Sequence, residues 1–316
     1  MSSKKMIIAN FNIVFGDDEE PLLNYFDSAI LPAFKSEFKK KSGDNEYSFM
    51  KVEIKEIDED GLVLTGIIVK ETTIEIKSKF DDEGVLIDTD ERYPTAPFSL
   101  FAIHLKNHRM TLVKNQKGSP DLKSFSSTFK KVLKLYIRSE NEIRKGNDVD
   151  LIPRPVVNIV GIPMRESIKE ALGKVMKINK LTLRFYPLNG DLDFGPLFDD
   201  LISDLRNKVG SKTGSIILNS PTSINGVIEV IEAAQGTIDP LFNVTYPDKS
   251  KGTINNNTIS ENMDITLDDV GNIASELDQV VERTKDFESI AFITPENQEI
   301  FTKNRAKILP FINKKR

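Results

Sequence analysis

The sequence predicts an α+β fold of mixed, mostly antiparallel sheets with packed helices in two subdomains. Period-two alternation of apolar and charged residues over 47–87 marks antiparallel strands, and a strong helical period over 124–145 marks a long amphipathic helix. Elsewhere strands and helices mix without the regular βαβ alternation of a doubly wound sheet. A chain of 316 residues holds one large domain or two of about 150 residues each. The polar stretch 146–150 sets the expected boundary. It gives an N-terminal α+β domain over 1–148 that ends in a basic amphipathic helix, and a C-terminal α+β domain with closing helices over 149–316.

Residues 6–15 form a β-rich opening. Over 21–38, Leu22, Leu23, Phe26, Ile30, Leu31 and Phe34 have the spacing of one buried helix face, with Pro32 as a kink. Basic residues over 39–44, with Gly43, close this helix. Val52, Ile54 and Ile57 alternate with Lys51, Glu53, Lys55 and Glu56, and Asp58, Glu59, Asp60 and Gly61 make a turn. Residues 62–69 and 72–80 continue as two antiparallel strands, and 81–84 is the next turn. Residues 98–105 and 110–114 form a further pair around Lys106 and Arg109. The second half reads as a strand at 156–162, a helix at 165–175, a strand at 181–186 and a loop at 190–195. A helix at 196–209, a strand at 215–218 and a helix at 224–234 follow. Strands joined by polar turns fill 237–265, including Asn255, Asn256 and Asn257, and helices at 267–287 and 295–311 close the chain.

Hydrophobic residues make up 39% and charged residues 29%, an ordinary balance for a folded soluble protein. The chain has no cysteine, which excludes disulfides, thiolate zinc sites, thiol nucleophiles and iron–sulfur clusters and makes the cytoplasm the expected compartment. Lys4 and Lys5 precede an apolar run, but Asn10 and Asn12 interrupt it and no small-residue cleavage site follows, so it reads as a strand rather than a leader. No apolar stretch approaches about 18 residues, so no membrane insertion is expected.

Charge is uneven along the chain. From His104 to Arg184, 18 Lys and Arg stand against 7 Asp and Glu, a net +11 within a chain of −5. Such asymmetry points to a polyanion-facing surface on an acidic body, or to an ordinary solvated face. In the 124–145 helix, Phe125, Phe129, Val132, Leu133 and Tyr136 fall on one side. Lys130, Lys131, Lys134, Arg138 and Lys145 fall roughly opposite, with Arg144 on the flank. Spread over about 20 Å, these cations have the reach to meet successive phosphates. Glu140 and Glu142 fall on the apolar side, where they are expected to fray the last turns. Lys106, Arg109, Lys114, Lys117 and Lys123 precede the helix, and Lys169, Lys174, Lys177, Lys180 and Arg184 follow it. Lys314, Lys315 and Arg316 form a basic tail that either adds to the surface or is solvated.

Catalytic signals are thin. Glu53 with Lys55 and Glu75 with Lys77 have the Glu-x-Lys spacing of nuclease cores, and Asp60 is a candidate upstream acid. Alternating Glu and Lys is equally the decoration of an exposed sheet. His104 and His108 lie at a strand end without a third metal ligand nearby. Asp191, Asp193, Asp199 and Asp200 lack the spacing of a calcium loop, and the last two suit a helix start. The 210–214 segment imitates the end of a phosphate loop but leads into a strand. No catalytic residue, metal or cofactor is assigned.

Pro97, Phe98, Ser99, Leu100, Phe101, Ala102 and Ile103 are followed by a polar break, Met110-Thr111-Leu112-Val113, a Gly-Ser-Pro loop and an amphipathic helix. This order resembles the phage-exclusion protein RexA and related phage-defence proteins, in outline over most of the chain, and more distantly the nucleoid protein RdgC. The resemblance implies a homodimer that binds double-stranded DNA without sequence preference and acts in phage exclusion. One departure is clear: where that family has a densely basic strand and helix, this chain reads Leu183 to Asp191 with one cation, Arg184.

The expectation is a cytoplasmic, non-enzymatic protein that binds double-stranded DNA nonspecifically. It contacts phosphates through Lys130, Lys131, Lys134, Arg138, Arg144 and Lys145, with Lys106, Arg109 and Lys114. It is expected to act as a homodimer with a downstream defence effector protein. The alternatives are a Mg²⁺-dependent nuclease built on Asp60, Glu75 and Lys77, or a protein-interaction or signalling component of a defence system using the acidic 264–278 region.

Overall fold

The computed structural model describes residues 2–57, 61–189, 198–234, 236–260, 263–268 and 271–312. The fold is α+β with two mostly antiparallel sheets. In the first half, β1 (Ser2–Phe15) and the short β2 (Glu20–Pro21) lead into a helical run that ends in α1 (Leu31–Lys35). Then come β3 (Lys40–Ser42), β4 (Asn45–Ile57), β5 (Gly61–Phe80), β6 (Leu86–Thr95), β7 (Phe98–His104), β8 (Arg109–Lys114) and α2 (Leu122–Gly146). The second half contains β9 (Pro155–Gly161), α3 (Arg165–Gly173), β10 (Lys177–Phe185), α4 (Asp199–Val209), β11 (Gly214–Asn219) and α5 (Ile224–Ala233). It ends with β12 (Ile238–Thr245), β13 (Lys251–Asn255), α6 (Asn256–Ser260), β14 (Met263–Leu267), α7 (Ile273–Thr284), α8 (Glu288–Ala291) and α9 (Pro295–Ile308).

The large sheet runs β14-β1-β8-β7-β5-β4-β3, with β2 and β9 also paired to β1 and β6 paired to β5. The small sheet runs β11-β10-β12-β13. The division of the sheets does not follow the expected boundary at residue 148. Strands β9 and β14 come from the second half and pair with β1, because its 14 residues offer one edge to two partners in succession.

Both faces of the large sheet are covered. One carries α1, α2 and α9 over a phenylalanine cluster of Phe11, Phe34, Phe49, Phe101, Phe125 and Phe129, in which Phe34 and Phe129 stack at 4.4 Å. Full burial of each such ring contributes about 1.5–3 kcal/mol. The other face packs Met6, Ile8, Val63 and Leu100 against Leu277, Val280 and Val281 of α7. The small sheet has its own core, where α3, α4 and α5 cover Leu181, Leu183, Phe242 and Val244. On its opposite face Arg184 and Ser215 are exposed, while Thr182 is buried and Asp239 half-buried.

Several local expectations change. The 21–38 run is helical and buries all six named residues, but a 3-10 turn (Leu22–Tyr25) and a π turn (Phe26–Ile30) precede the α-helical turn. Pro32 lies in the first turn of α1, where its missing N–H costs least. Lys40, Lys41 and Ser42 form strand β3 in a hairpin with β4 instead of closing the helix. The two strands expected over 62–80 are one continuous β5, which pairs with β4 and β7 in its first half and with β6 in its second. Asn256 opens a short helix rather than a polar turn. Residues 58–60, 190–197 and 313–316 lie outside the described residues, and with them Asp60, the 190–195 loop and the basic tail.

Side-chain amides tie the two sheets together. Asn12 Nδ2 donates to Pro187 O at 2.6 Å, and Asn189 Oδ1 accepts from Leu22 N at 2.8 Å. That bond turns the amide nitrogen of Asn189 toward His108 Nδ1, at 2.8 Å. Among the described residues no helix is long and apolar enough to cross a membrane.

Candidate nucleic-acid interface

Helix α2 starts where Asp121 caps it, its side chain accepting from Ser124 N at 2.7 Å. The apolar stripe turns inward: Phe125, Phe129, Val132 and Leu133 are buried, with Leu122, Thr128 and Ile137, and Tyr136 is half-buried. The 3.6-residue period therefore leaves Lys123, Lys130, Lys131, Lys134, Arg138 and Lys145 exposed. Among the described residues no ion pair engages Lys130, Lys131 or Lys134. The last turns do not fray, because the two acids pair with the helix's own arginines. Arg138 Nε lies 3.5 Å from Glu142, and Arg144 Nε lies 3.0 Å from Glu140 while its Nη1 donates to Asp150 O at 3.0 Å. These i,i+4 pairs partly neutralise the C-terminal half of the basic face, so the open cations concentrate in the middle of the helix.

The other predicted cations divide. Lys114 is half-buried near the helix start, where burial lowers its pKa and Asp121 opposes the shift. Lys40, which the sequence placed in a helix terminus, donates to Ser127 Oγ at 2.6 Å and shares the vicinity of Asp121 with Lys123. Lys106 lies elsewhere, over the ring of Phe301 at 5.9 Å. Arg109 is only 4% exposed and donates from Nη1 to Asn10 Oδ1 inside the large sheet. It opens β8 on the inner rows of strands, so its guanidinium is a structural donor and not part of an outer surface.

Across a cleft from α2 lies the small sheet. Asp239 on β12 is opposite Arg184 on β10, Nη1 to Oδ2 at 4.0 Å. Lys130 approaches the same carboxyl from α2. Burial raises the Asp239 pKa, while Arg184 and Lys130 pull it back. Lys130 exposes surface, but the cleft walls strip enough water from its ammonium to lower its pKa, with Asp239 opposing. Tyr186 lies at the same place, its pKa raised by burial and then by Asp239. Two cations far apart in sequence thus act on one carboxylate. Sequence reading flagged Lys130 and Arg184 but missed Asp239, Tyr186 and Lys40, which carry no motif.

The nuclease candidates are engaged in another way. Glu75 lies on an exposed hairpin, bonded to Lys77 and Arg92 at 2.8 Å each, which lowers its pKa. Lys55 pairs with Asp278 at 2.5 Å. Among the described residues no three His, Asp or Glu side chains gather as a metal site requires. His104 has lost water, and burial pushes its pKa down to about 4. Lys212, in the phosphate-loop mimic, donates to Gly16 O at 2.6 Å and pairs with Asp17 at 2.8 Å. In the acidic 264–278 region, Asp264 pairs with Lys5, Asp268 with Arg283 and Asp278 with Lys55. Compared with known proteins, the chain matches no family model, and no curated protein matches it.

Proposed function

We propose that this protein holds double-stranded DNA by its phosphates, without reading sequence, on the exposed face of α2 joined by Arg184 from the small sheet. The observation that carries this reading is the set Lys130, Lys131 and Lys134. They are exposed along one helix, no ion pair holds them among the described residues, and a further cation, Arg184, lies on the small sheet opposite Asp239. Lys123 and Lys40 extend the surface toward the helix start. Lys106 and Arg109 are left out of it. Contacts of this kind position a duplex and leave base edges unread.

The homodimer belongs to the same proposal. The outer half of β5 and β6 form a two-stranded ribbon that stands off the large sheet. Ile74 pairs with Tyr93 and Phe80 with Leu86 on one face, all four more than half exposed, while Glu75, Lys77 and Arg92 make ion pairs on the other. An isolated ribbon is marginal in water, and a two-fold axis would bring the same apolar face of a second copy onto it. Phage exclusion, a cytoplasmic location and a downstream effector rest on the RexA resemblance and the cysteine-free composition.

The test is duplex binding from about 50 to 200 mM salt with Mg²⁺ present. Binding that falls steeply with salt, leaves the DNA intact and drops more than about tenfold in Lys131→Glu/Lys134→Glu supports the reading. No binding at the lowest salt overturns it, and Mg²⁺-dependent cleavage would replace it with a nuclease.

A further inference from the structure

The cleft between α2 and the small sheet encloses about 310 Å³, the size of a small-molecule site. Its two walls differ in chemistry. Lys123, Ser126 and Lys130 line the α2 side, and Tyr186, Asp239 and Asn256 line the far side. Asn256 is 5% exposed, and Ser260 Oγ, which lies 2.6 Å from the Asn256 backbone carbonyl, also contacts the Oδ1 of its side-chain amide. Its Nδ2 is buried with no partner. Gly161 on β9 permits this arrangement, since a Cβ there would stand 2.5 Å from Ser260 Oγ and 2.9 Å from Asn256 Oδ1. A buried amide donor without an acceptor is costly in a folded protein, and one at the edge of a polar cleft is where a ligand acceptor would remove the cost.

We propose that this cleft binds a nucleotide, with its phosphate at Lys123, Ser126 and Lys130 and its base among Tyr186, Asp239 and Asn256. Ammonium and hydroxyl groups are phosphate donors. A carboxylate acceptor beside an amide donor matches the mixed edge of a base, and a tyrosine ring offers a stacking surface. Asp239 repels phosphate, so it sets the direction in which the ligand lies. The opposite shifts of Asp239 and Lys130 have one cause, loss of water, and both groups regain partners when a polar ligand enters. The nucleotide is either free or an unpaired unit of a strand. The proposal shares Lys123 and Lys130 with the duplex reading but not Lys131 or Lys134, which do not line the cleft.

The experiment is calorimetric titration of the full chain with each deoxynucleoside monophosphate, ribose 5-phosphate and a single-stranded tetranucleotide. At least one mononucleotide or the tetranucleotide is expected to bind about tenfold more tightly than ribose 5-phosphate. Asp239→Asn and Lys130→Gln, each with an unchanged circular dichroism spectrum, are expected to weaken that binding about tenfold, while Lys131→Glu/Lys134→Glu leaves it unchanged. Binding of the mononucleotide identifies a free ligand, and binding of the tetranucleotide alone identifies a strand unit. No binding of either, ribose 5-phosphate binding equally well, or indifference to both cleft variants would overturn the proposal.

Discussion

Arg184 and Asp239 stand directly opposite on paired strands with their charged atoms 4.0 Å apart, beyond hydrogen-bond length, and the charge of Lys130 on α2 acts on the same carboxyl. A carboxylate between two phosphate-seeking cations opposes a polyanion. Asp239→Asn should therefore raise duplex affinity about two- to fivefold at low salt, the scale of one partly screened charge interaction. An affinity that falls in this variant would remove the cleft edge from the duplex surface. The same substitution weakens nucleotide binding, so opposite signs separate the two proposals.

The exposed and buried cations should behave differently. Lys131→Ala and Lys134→Ala are each expected to reduce the slope of log K against log salt by about 1. Arg109→Ala leaves the slope unchanged and instead removes the buried guanidinium's bond to Asn10, lowering stability by about 1–3 kcal/mol. Salt titrations paired with urea unfolding distinguish the two classes, and a slope change in Arg109→Ala would place it back on the surface.

His104 predicts an acid-sensitive fold. Its pKa is near 4 in the folded chain against an ordinary value of 6.5, so it is neutral when folded and protonates in the unfolded chain first. Stability is then fully present above about pH 6.5 and falls as pH drops toward about 4. Between pH 7 and 5 this group alone should remove about 2 kcal/mol. Urea midpoints for the wild type and His104→Gln should converge as pH falls, and parallel profiles would show that His104 does not titrate as described.

The proposed dimer would have its seam on the ribbon face. Ile74 and Phe80, 54% and 71% exposed, are expected to meet their copies across a two-fold axis. Ile74→Asp with Phe80→Asp should convert a dimer to a monomer in light scattering at micromolar concentration while leaving the circular dichroism unchanged. A wild type that is already monomeric at that concentration would rule out this seam.

Much of the fold was legible because its signals are local. The alternation of Val52, Ile54 and Ile57, the turn at Asp81 to Gly84, and the stripe through Phe125, Phe129 and Val132 each report one element's exposed and buried faces. Strand β6 escaped notice because its exposed ribbon carries Asp88, Asp90, Glu91 and Arg92 with no inward apolar row. The continuity of β5 was hidden for a related reason: its buried half and exposed half follow different patterns.

The sequence by itself determined the α+β class, the inward face of α2 and the row of cations opposite it, since a helix of fixed period must segregate them. Only the tertiary structure decided that β9 and β14 complete the first sheet, that Arg109 turns inward, and that Lys130 and Arg184 both act on Asp239. Periodicity describes a segment against its own axis. Pairing between strands more than a hundred residues apart, and the burial of a charge among them, depends on which surfaces the whole chain brings together.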